Sequence, residues 1–509
     1  MRGGIYISKR KFLFILVAGI TYIVLLHLLI VSESASSDAD ITTFGDALWY
    51  SLVTLTTVGY GDLSPVTIPG RVIGAVFLIL STGVLALLFG LAFSLLTGRL
   101  FPHLRLWRNR RRKWYMFYPD NEASRSLASA FTGEYTIFCG AEKTSGSRSL
   151  YLKEMPDSLM SLPFFGQCER ILFLMSENVI KNEHIARSLA GTAVQIYCRG
   201  GGLNEALPDN ITRFNQFDCA ARLYWQLQPC SPAGEQMIII GSGRFASSLL
   251  NQGLLVAPPG CTIELFGSWT EWRAMHDAVQ ELPESIIRLH FHAENWAENR
   301  SLISEADRII LCADDELKNR DVLRLLKMYY VIKGQIHVRS IPGLQKAFYF
   351  GTQDMLFTPE LVMRQTQNDR AQALHEMYRR QADYPVPTWS ELSDFLKHSN
   401  LAAADHLLTK IRILLPDLDV REVTAETCAK AAAKFESASL AEREWYRSIE
   451  HNRWLIFHAL YNWQYAEHRN DALRLHPLMV NYDTLSEADR QKDDSAWLQL
   501  GILAEEGDL

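Results

Sequence analysis

Residues 54–62 read TLTTVGYGD, a segment whose residue types suit the coordination of a dehydrated cation. Gly59 and Gly61 can adopt positive φ without steric cost, so the backbone can turn successive carbonyl oxygens towards one axis. Rings of such oxygens replace the hydration shell of an ion such as K⁺. A pentapeptide of this kind also fits a hairpin turn, and the flanking sequence decides between the two interpretations. The segment predicts a cation pathway built from Thr57, Val58, Gly59, Tyr60, Gly61 and Asp62.

Two apolar stretches flank this segment, at residues 12–31 and 72–96. Each is long enough for a helix to cross about 30 Å of hydrocarbon at about 1.5 Å per residue. Residues 44–56 between them predict a short helix with Asp46 in its first turn, where a carboxylate suits the helix dipole. The C-terminal end of that helix would direct partial negative charge at the cation pathway. A cleaved signal peptide is the alternative for the first stretch, but a second span follows it.

Basic residues lie before the first stretch and after the second, from Arg2 to Lys11 and from Arg99 to Lys113. Positive charge marks the cytoplasmic side of membrane spans. We therefore expect a multi-pass protein of the cell inner (plasma) membrane with both termini in the cytoplasm. Membrane lipid is the expected partner of the basic run at 105–113, in preference to nucleic acid. The outer loop carries acidic residues that would concentrate cations, namely Glu33, Asp38, Asp40 and Asp62.

With these motifs in place, residues 11–98 resemble the two-helix pore domain of prokaryotic potassium channels, and we assign 1–98 to such a domain. The resemblance covers residues 47–51, the TVGYGD segment, and residues 63–71. It implies that K⁺ is coordinated at Thr57, Val58, Gly59 and Tyr60 in a selectivity filter shared by four chains. The inner-helix hinge glycine of that family aligns with a serine in this chain. The gating-hinge candidates are Ser81, Gly83 and Gly90, of which the two glycines also suit simple helix packing.

The rest of the chain, after a basic linker at 99–112, is soluble in character. The 509 residues carry 51 Lys and Arg against 57 Asp and Glu, a net charge of −6. Because the membrane-proximal segment is basic, the following body must be acidic. The eight cysteines form no Cys-x-x-Cys pair, so neither a zinc site nor a redox motif is predicted. The sequence contains no acid pair, Ser-His-Asp order or Gly-x-Ser-x-Gly elbow, and we predict that the protein is not an enzyme.

Residues 113–365 alternate short apolar strands with polar-faced helices, the pattern of parallel α/β sheets. We predict strands at 114–118, 135–139, 150–153, 171–175 and 194–198, then at 236–240, 262–266, 288–292, 308–312 and 335–339, with 348–356 closing the second sheet. The two stretches, 113–230 and 235–365, resemble tandem Rossmann lobes that regulate potassium conductance. Nucleotide-binding candidates lie in the second lobe, at Gly241, Gly243 and Arg244, although the acidic ribose anchor expected after its second strand is missing. A glycine turn kept for packing is the alternative.

After a second linker at 366–387, residues 388–509 predict a mainly α domain. Segments such as EHNRW at 450–454 and HPLMVNYDTL at 476–485 resemble the ryanodine-receptor repeat domain in its bacterial form. Two interpretations stay open, a sensor for a nucleotide-like small molecule and a protein-contact module. Stacking faces and hydrogen-bond donors for a purine or phosphate would come from Arg453, Trp454, Arg469, His476 and Tyr482.

The fold class predicted for the whole chain is a helical membrane pore domain, an α/β region of two Rossmann-like lobes and a mainly α C-terminal domain. The predicted function is a homotetrameric, potassium-selective channel gated by a small-molecule regulator, with K⁺ as the permeant ion and no nucleic-acid partner. The alternative is a membrane-anchored nucleotide-binding regulator or enzyme with a non-conducting pore.

Overall fold

The structure is a computed structural model that describes residues 9–95, 101–141, 149–160, 169–200, 208, 210–343, 346–365, 368–382 and 384–506. Two compact units divide the chain, Met1–Asn109 and Arg110–Leu509. We describe each unit by itself.

In its described residues, 9–95 and 101–109, the first unit contains the helices α1 (Lys9–Glu33), α2 (Phe44–Leu55), α3 (Ile68–Leu95) and α4 (Phe101–Arg108). The predicted short helix at 44–56 is present as α2, whose N-terminus is fixed by a capping box between Thr43 and Asp46. The predicted linker at 99–112 contains α4. Within the described ranges, no helix combines the length and the apolarity that crossing a bilayer requires. The two predicted spans therefore stay predictions.

Glu33, which we expected in an acidic outer mouth, is fully buried at the end of α1. Its carboxylate accepts hydrogen bonds from the amides of Val66 (2.9 Å) and Thr67 (3.1 Å) and from the Thr67 hydroxyl (2.6 Å). A side chain at Gly70 would run into this carboxylate. Glu33 therefore anchors the start of α3 to the end of α1. Its charge strengthens the three hydrogen bonds that its carboxylate accepts.

The second unit opens with a six-stranded parallel sheet in the order β3-β2-β1-β4-β5-β6. This is the strand order of the doubly wound nucleotide-binding fold. The elements are β1 (Trp114–Tyr118), α5 (Glu122–Ser129), β2 (Tyr135–Cys139), β3 (Ser149–Leu152), α6 (Pro156–Met160), β4 (Arg170–Leu174), α7 (Val179–Ser188), β5 (Val194–Arg199), β6 (Ile211–Phe214) and α8 (Gln216–Leu227).

A second parallel sheet repeats this plan in the order β12-β11-β10-β7-β8-β9. Its elements are β7 (Gln236–Ile240), α9 (Arg244–Val256), β8 (Thr262–Phe266), α10 (Thr270–Met275), α11 (Asp277–Gln280), β9 (Arg288–His292), α12 (Arg300–Glu305), β10 (Arg308–Leu311), α13 (Glu316–Tyr329), β11 (Gln335–Arg339), β12 (Phe348–Phe350) and α14 (Gln353–Leu356). The prediction of two parallel-sheet lobes is confirmed.

Two segments differ from the predicted strands. Residues 211–214, for which no strand was predicted, form β6 before α8 starts. Residues 348–356, read as a closing strand, contain the short strand β12 followed by α14. Both errors have one cause, because short apolar runs at an edge carry no periodicity that separates strand from helix.

One hydrogen-bonding device occurs in both lobes. Asn182, on α7, accepts from the amide of Ser176 and donates to the carbonyls of Ser176 and Arg199. Asn319, on α13, accepts from the amide of Ala313 and donates to the carbonyls of Ala313 and Arg339. Both asparagines are buried. Each ties the ends of two neighbouring strands to the helix between them, at the edge where such sheets bind ligands.

The lobes share one hydrophobic core because α8 packs directly on α9. The Trp225 indole donates to the Leu249 carbonyl at 2.9 Å. A side chain at Gly253 would meet the Trp225 ring, so the glycine permits the close approach of the two helices.

The remaining elements are α15 (Asp369–Gln381), α16 (Asp394–Leu414), α17 (Ala425–Glu436), α18 (Leu440–Leu460), β13 (Gln464–Tyr465), β14 (Leu475–His476), α19 (Glu487–Lys492) and α20 (Ser495–Glu506). The sequence analysis treated residues 366–387 as a linker, whereas α15 lies there and buries Ala371, Leu374 and Met377 against the helical domain. Trp497, on α20, is fully buried and stacks on Phe435 of α17.

Replacing Asn319 with alanine leaves two backbone groups without partners at the end of the second sheet, the amide of Ala313 and the carbonyl of Arg339, since the Ala313 carbonyl also accepts from the Arg339 guanidinium. We expect this change to cost about 1–3 kcal/mol of stability, the usual price of unpaired buried polar groups. Asn182→Ala should have an effect of similar size in the first lobe.

Hydrogen exchange of the full chain, followed by mass spectrometry, measures both effects at β10, β11 and α13 or at β4, β5 and α7. Asn299→Ala is the control, because the Asn299 side chain makes no capping hydrogen bond. Equal exchange in the control and in Asn319→Ala would contradict the structural role of Asn319.

Candidate functional site

The segment after α2 has a distinctive backbone. Thr57 (φ 57°), Gly59 (φ 57°) and Gly61 (φ 72°) have positive φ, whereas Val58 and Tyr60 do not. Alternation of this kind reverses every second peptide plane, which allows successive carbonyl oxygens to face the same side. Thr57 is not a glycine, so its left-handed conformation costs about 1–2 kcal/mol. Contacts with neighbouring residues must offset this cost. Strain held at a chosen residue is typical of functional segments.

The surroundings that hold this backbone come from α2. The amides of Val58 and Gly59 both donate to the carbonyl of Val53, at 3.1 Å and 3.3 Å. Trp49 donates from its indole nitrogen to Asp62 at 2.8 Å, and its ring lies parallel to that of Tyr60 at 6.2 Å. A backbone carbonyl and a side chain of the helix therefore fix the two ends of the segment. Ion binding by the carbonyls between them stays a prediction.

The three hinge candidates lie on α3, which is helical through all of them. The surroundings of Ser81 and Gly83 lie outside the described side chains. A methyl group built at Gly90 would meet no atom within 4 Å in the described part of this chain. The hinge therefore stays a prediction.

In the glycine turn of the second lobe, a carboxylate of the protein itself occupies the anion position. Asp314, which follows β10, accepts from the amides of Arg244 and Phe245, each at 3.1 Å. These amides open α9, at the place where a dinucleotide fold receives a phosphate. Side chains at Gly241 or Gly243 would run into Ala313 and Asp314. The glycines therefore serve the close packing of β7 and β10, and Asp314 occupies the phosphate position.

Arg244, the third candidate there, stacks its guanidinium over the Phe217 ring, 5.1 Å from the ring centre. It is exposed, and it lies next to α8 of the first lobe. Asp314 was not predicted from the sequence. The signal that could have identified it is an acidic residue shortly after a buried strand that neighbours a glycine turn.

The five ligand candidates of the C-terminal domain lie in three different environments. Trp454 and His476 lie together, with ring centres 5.0 Å apart, and His451 connects Trp454 (5.9 Å) to Tyr482 (6.0 Å). Arg469 is exposed and binds Asp471 at 2.6 Å. Three candidates thus belong to one aromatic cluster, and Arg469 lies on an exposed loop.

Arg453 faces the interior. Its guanidinium binds Glu450 at 2.7 Å, and both residues are buried. Lys410, also buried, binds the same carboxylate at 2.8 Å. Burial opposes the ionisation of Glu450, but the positive charges of Arg453 and Lys410 outweigh it and hold its pKa well below the ordinary range. Arg453 is therefore part of an internal ion cluster, and its contact with a ligand stays a prediction.

Asp493 lies beside this buried ion cluster. Burial, together with the nearby Glu450 carboxylate, raises the pKa of Asp493 to about 7. Its carboxylate lies 3.8 Å from His451, a member of the aromatic cluster. The protonation of Asp493 is thus linked to the folding of this domain.

In the described part of the chain, no group of three or more His, Cys, Asp or Glu residues is arranged to hold a metal ion. The seven cysteines described there are free thiols.

Comparisons with known proteins agree with the geometry of the first unit. Residues 11–98 match the family model described as ion channel. The voltage-gated potassium channel regulatory subunit KCNG3 of Homo sapiens is 42% identical over 52 residues, which are 10% of this chain and 12% of the relative. The potassium voltage-gated channel subfamily KQT member 4 of Homo sapiens is 30% identical over 90 residues, 18% of this chain and 13% of the relative.

The chain thus spans only 12–13% of the length of these curated relatives. Residues 11–98 are an ion-channel domain related to those of potassium channel subunits. Because the matches are to channels, they support the prediction that the protein is not an enzyme.

Among solved structures, GsuK bound to ADP gives a TM-score of 0.34 at 13% identity, with coverage of 69% of this chain and 99% of that one. The GsuK channel bound to NAD gives a TM-score of 0.29, 10% identity and coverage of 71% and 85%.

Replacing Asp314 with alanine removes the acceptor of two amides at the start of α9. We expect a loss of about 1–2 kcal/mol, as for other helix caps, and faster hydrogen exchange in the first turn of α9. Asp321→Ala, an exposed change on α13, is the control. A first turn of α9 that exchanges at the unchanged rate in Asp314→Ala would contradict the capping role.

The raised pKa of Asp493 predicts that folding stability depends on pH. Because the folded state holds the proton more tightly than the unfolded state, Asp493 makes stability fall as pH rises from about 4 to about 7. Asp493→Asn should remove this part of the pH dependence. Above pH 7 it should stabilise the domain by roughly a few kcal/mol.

Thermal unfolding of the wild type and of Asp493→Asn between pH 5 and pH 8 measures the effect. Asp489→Asn is the control, since its carboxylate is engaged by Lys492 and Ser486 near the surface. The same pH slope in the wild type and in Asp493→Asn would show that Asp493 is ionised in the folded protein.

Proposed function

We propose that this chain is one subunit of a homotetrameric, potassium-selective channel of the cell inner membrane, regulated by a small molecule that binds its cytoplasmic region. The observation that carries the proposal is the alternation of positive φ at Thr57, Gly59 and Gly61 directly after a capped helix. A backbone of this kind offers carbonyl oxygens in succession, which is the chemistry that replaces the hydration of K⁺.

Exposure of the filter residues favours assembly with further copies. The side chains of Val58 and Tyr60 are 53% and 68% exposed, and Trp49 is 47% exposed, in the single chain. One strand of carbonyls supplies only one side of a coordination shell, so a complete shell requires several chains around one axis. Four copies satisfy this requirement in the domain that residues 11–98 resemble.

Apolar side chains on α1 and α3 favour contact with lipid. These helices expose large aliphatic and aromatic side chains, an arrangement that soluble proteins avoid over wide areas. The exposed set is Ile20, Ile23, Val24, Leu28 and Val31 on α1, and Ile68, Val72, Leu78, Ile79, Phe89 and Phe93 on α3.

Regulation would come from the two lobes and the C-terminal domain, which follow the pore in the same chain. A ligand changes the open probability only by its difference in affinity for the open and closed states. The glycine turn of the second lobe is a weak ligand candidate because Asp314 fills its anion position. The aromatic cluster around Trp454 and His476 is the better candidate of those derived from sequence, because its stacking faces suit a purine-like ligand.

The filter assignment predicts that Gly59→Ala abolishes or strongly reduces K⁺ flux. The φ of Gly59 is positive, so an L side chain there costs about 1–2 kcal/mol in each chain and turns the carbonyl away from its position. Fluorescence-based K⁺ flux into proteoliposomes, with Na⁺ as the competing ion, measures both conduction and selectivity.

Gly19→Ala is the matched control, because a methyl group at that helical position meets no atom within 4 Å. Its flux should equal that of the wild type. Sustained selective flux in Gly59→Ala would overturn the filter assignment. A wild-type protein that conducts no cation would instead favour a membrane-anchored regulator with a closed, vestigial pore.

A further inference from the structure

A cavity of about 680 Å³ lies in the second unit between helices of both lobes and of the C-terminal domain. Its walls come from α8, α9, α15, α16 and the turn before α17. The volume is within the range of small-molecule sites, which is about 300–1,000 Å³. We call this space the α15 cavity. None of the ligand candidates derived from sequence lines it.

One wall of the α15 cavity carries an arginine whose charge is not paired with a carboxylate. The Nε of Arg370, on α15, is buried and has no hydrogen-bond partner among the described residues. Other arginines in the described ranges also have a buried unbonded nitrogen, but each has a further interaction, such as Arg412 with the Val420 carbonyl and Arg443 with the Glu436 carbonyl. Burial lowers the pKa of the Arg370 guanidinium, and the attraction of Asp405 only partly offsets this.

Asp405 is not available to Arg370 because another arginine uses it. Arg222, on α8, binds both oxygens of Asp405, at 2.6 Å and 2.9 Å, and Gln252 donates to it at 2.9 Å. Arg222 also donates to Asn368 at 2.8 Å. The buried Arg222 and the half-buried Arg370 therefore lie near one carboxylate, and only Arg222 is paired with it. An unpaired charge in such a place is costly unless a ligand supplies the missing partner.

The other linings define what kind of ligand fits. Leu223, Leu227, Val256 and Leu408 provide apolar surface next to the charged wall. Arg421 stands at the exposed mouth, where it already binds Asp419 at 2.8 Å. The carboxylates of Asp369 and Glu422 also line the cavity and are exposed. The first turn of α17 is capped by Thr424, whose hydroxyl accepts from the amide of Thr427.

We propose that the α15 cavity binds a small molecule with a phosphate group and an apolar or aromatic body, about the size of a mononucleotide, and that Arg370 holds the phosphate. The ligand touches α8 and α9 of the lobes together with α15 and α16 of the helical domain, so binding favours one arrangement of these elements. This step rests on the proposed function only where it concerns gating; the binding itself does not depend on conduction.

The test is a binding measurement on the full-length protein in lipid nanodiscs, by thermal shift and calorimetry, with adenosine monophosphate, inorganic phosphate and adenosine as probes. The wild type should bind adenosine monophosphate saturably and adenosine much more weakly. Arg370→Met should lose roughly ten- to a hundredfold in affinity, the usual loss when a hydrogen bond to a charged group is removed. Arg370→Lys should retain part of the affinity, since the charge remains.

Two further readouts separate a ligand site from a structural role. Without ligand, Arg370→Met should melt at the wild-type temperature or above it, because the variant removes a half-buried charge that has no carboxylate partner. Arg379→Met, which removes a paired arginine from the same helix, should bind like the wild type.

The proposal is overturned if the wild type binds neither adenosine monophosphate nor phosphate, if adenosine binds as tightly as the monophosphate, or if Arg370→Met binds like the wild type. Should Arg370→Met fail to fold, unchanged affinity in Arg370→Lys and Arg370→Gln overturns it equally. Because binding is measured without flux, a non-conducting pore does not affect the result.

Discussion

Backbone carbonyl oxygens can replace the water that a cation loses on dehydration, and the backbone of residues 57–61 has a conformation that suits this chemistry. Every second residue there has positive φ. Glycine adopts this conformation freely at two of these positions, and Thr57 adopts it under strain. The carbonyl of Val53 and the side chain of Trp49 hold the strained segment in place. Both groups belong to the capped helix α2, so the conformation of the segment depends on this helix.

In the second unit, most buried charges have internal partners. Asp314 fills the anion position at the start of α9, and Glu450 is bound by both Arg453 and Lys410. A site whose charges are already paired has little to gain from a ligand, because binding must first break the internal contacts. Ligand sites in this region are therefore better sought where pairing is incomplete. The glycine turn is therefore a weaker candidate for a ligand site, although its sequence resembles a nucleotide-binding motif.

The sequence alone predicted the two lobes well, because buried parallel strands read as short apolar runs between helices of helical periodicity. It also predicted α2, since the start of this helix depends on local capping. The filter residues inferred from the glycine positions stay a prediction. It could not predict that Arg453 faces inward, because Glu450 and Lys410 lie on two different helices that only the fold brings together. The prediction also failed for short elements at sheet edges and for the helix α15, which lies in a segment rich in charge. In each case the structure is determined by packing against other parts of the fold.

The pair of Arg222 and Asp405 connects α8 of the first lobe to α16 of the helical domain. Because both residues are buried, breaking the pair would leave two charges without compensation, at a cost of about 3–5 kcal/mol. Arg370 lies close enough to feel the same carboxylate. An anion next to Arg370 would therefore change the electrostatic balance at the contact between lobe and domain. The physical route from a ligand to the lobes then requires no long pathway, since a single carboxylate is shared between the ligand site and the interdomain contact.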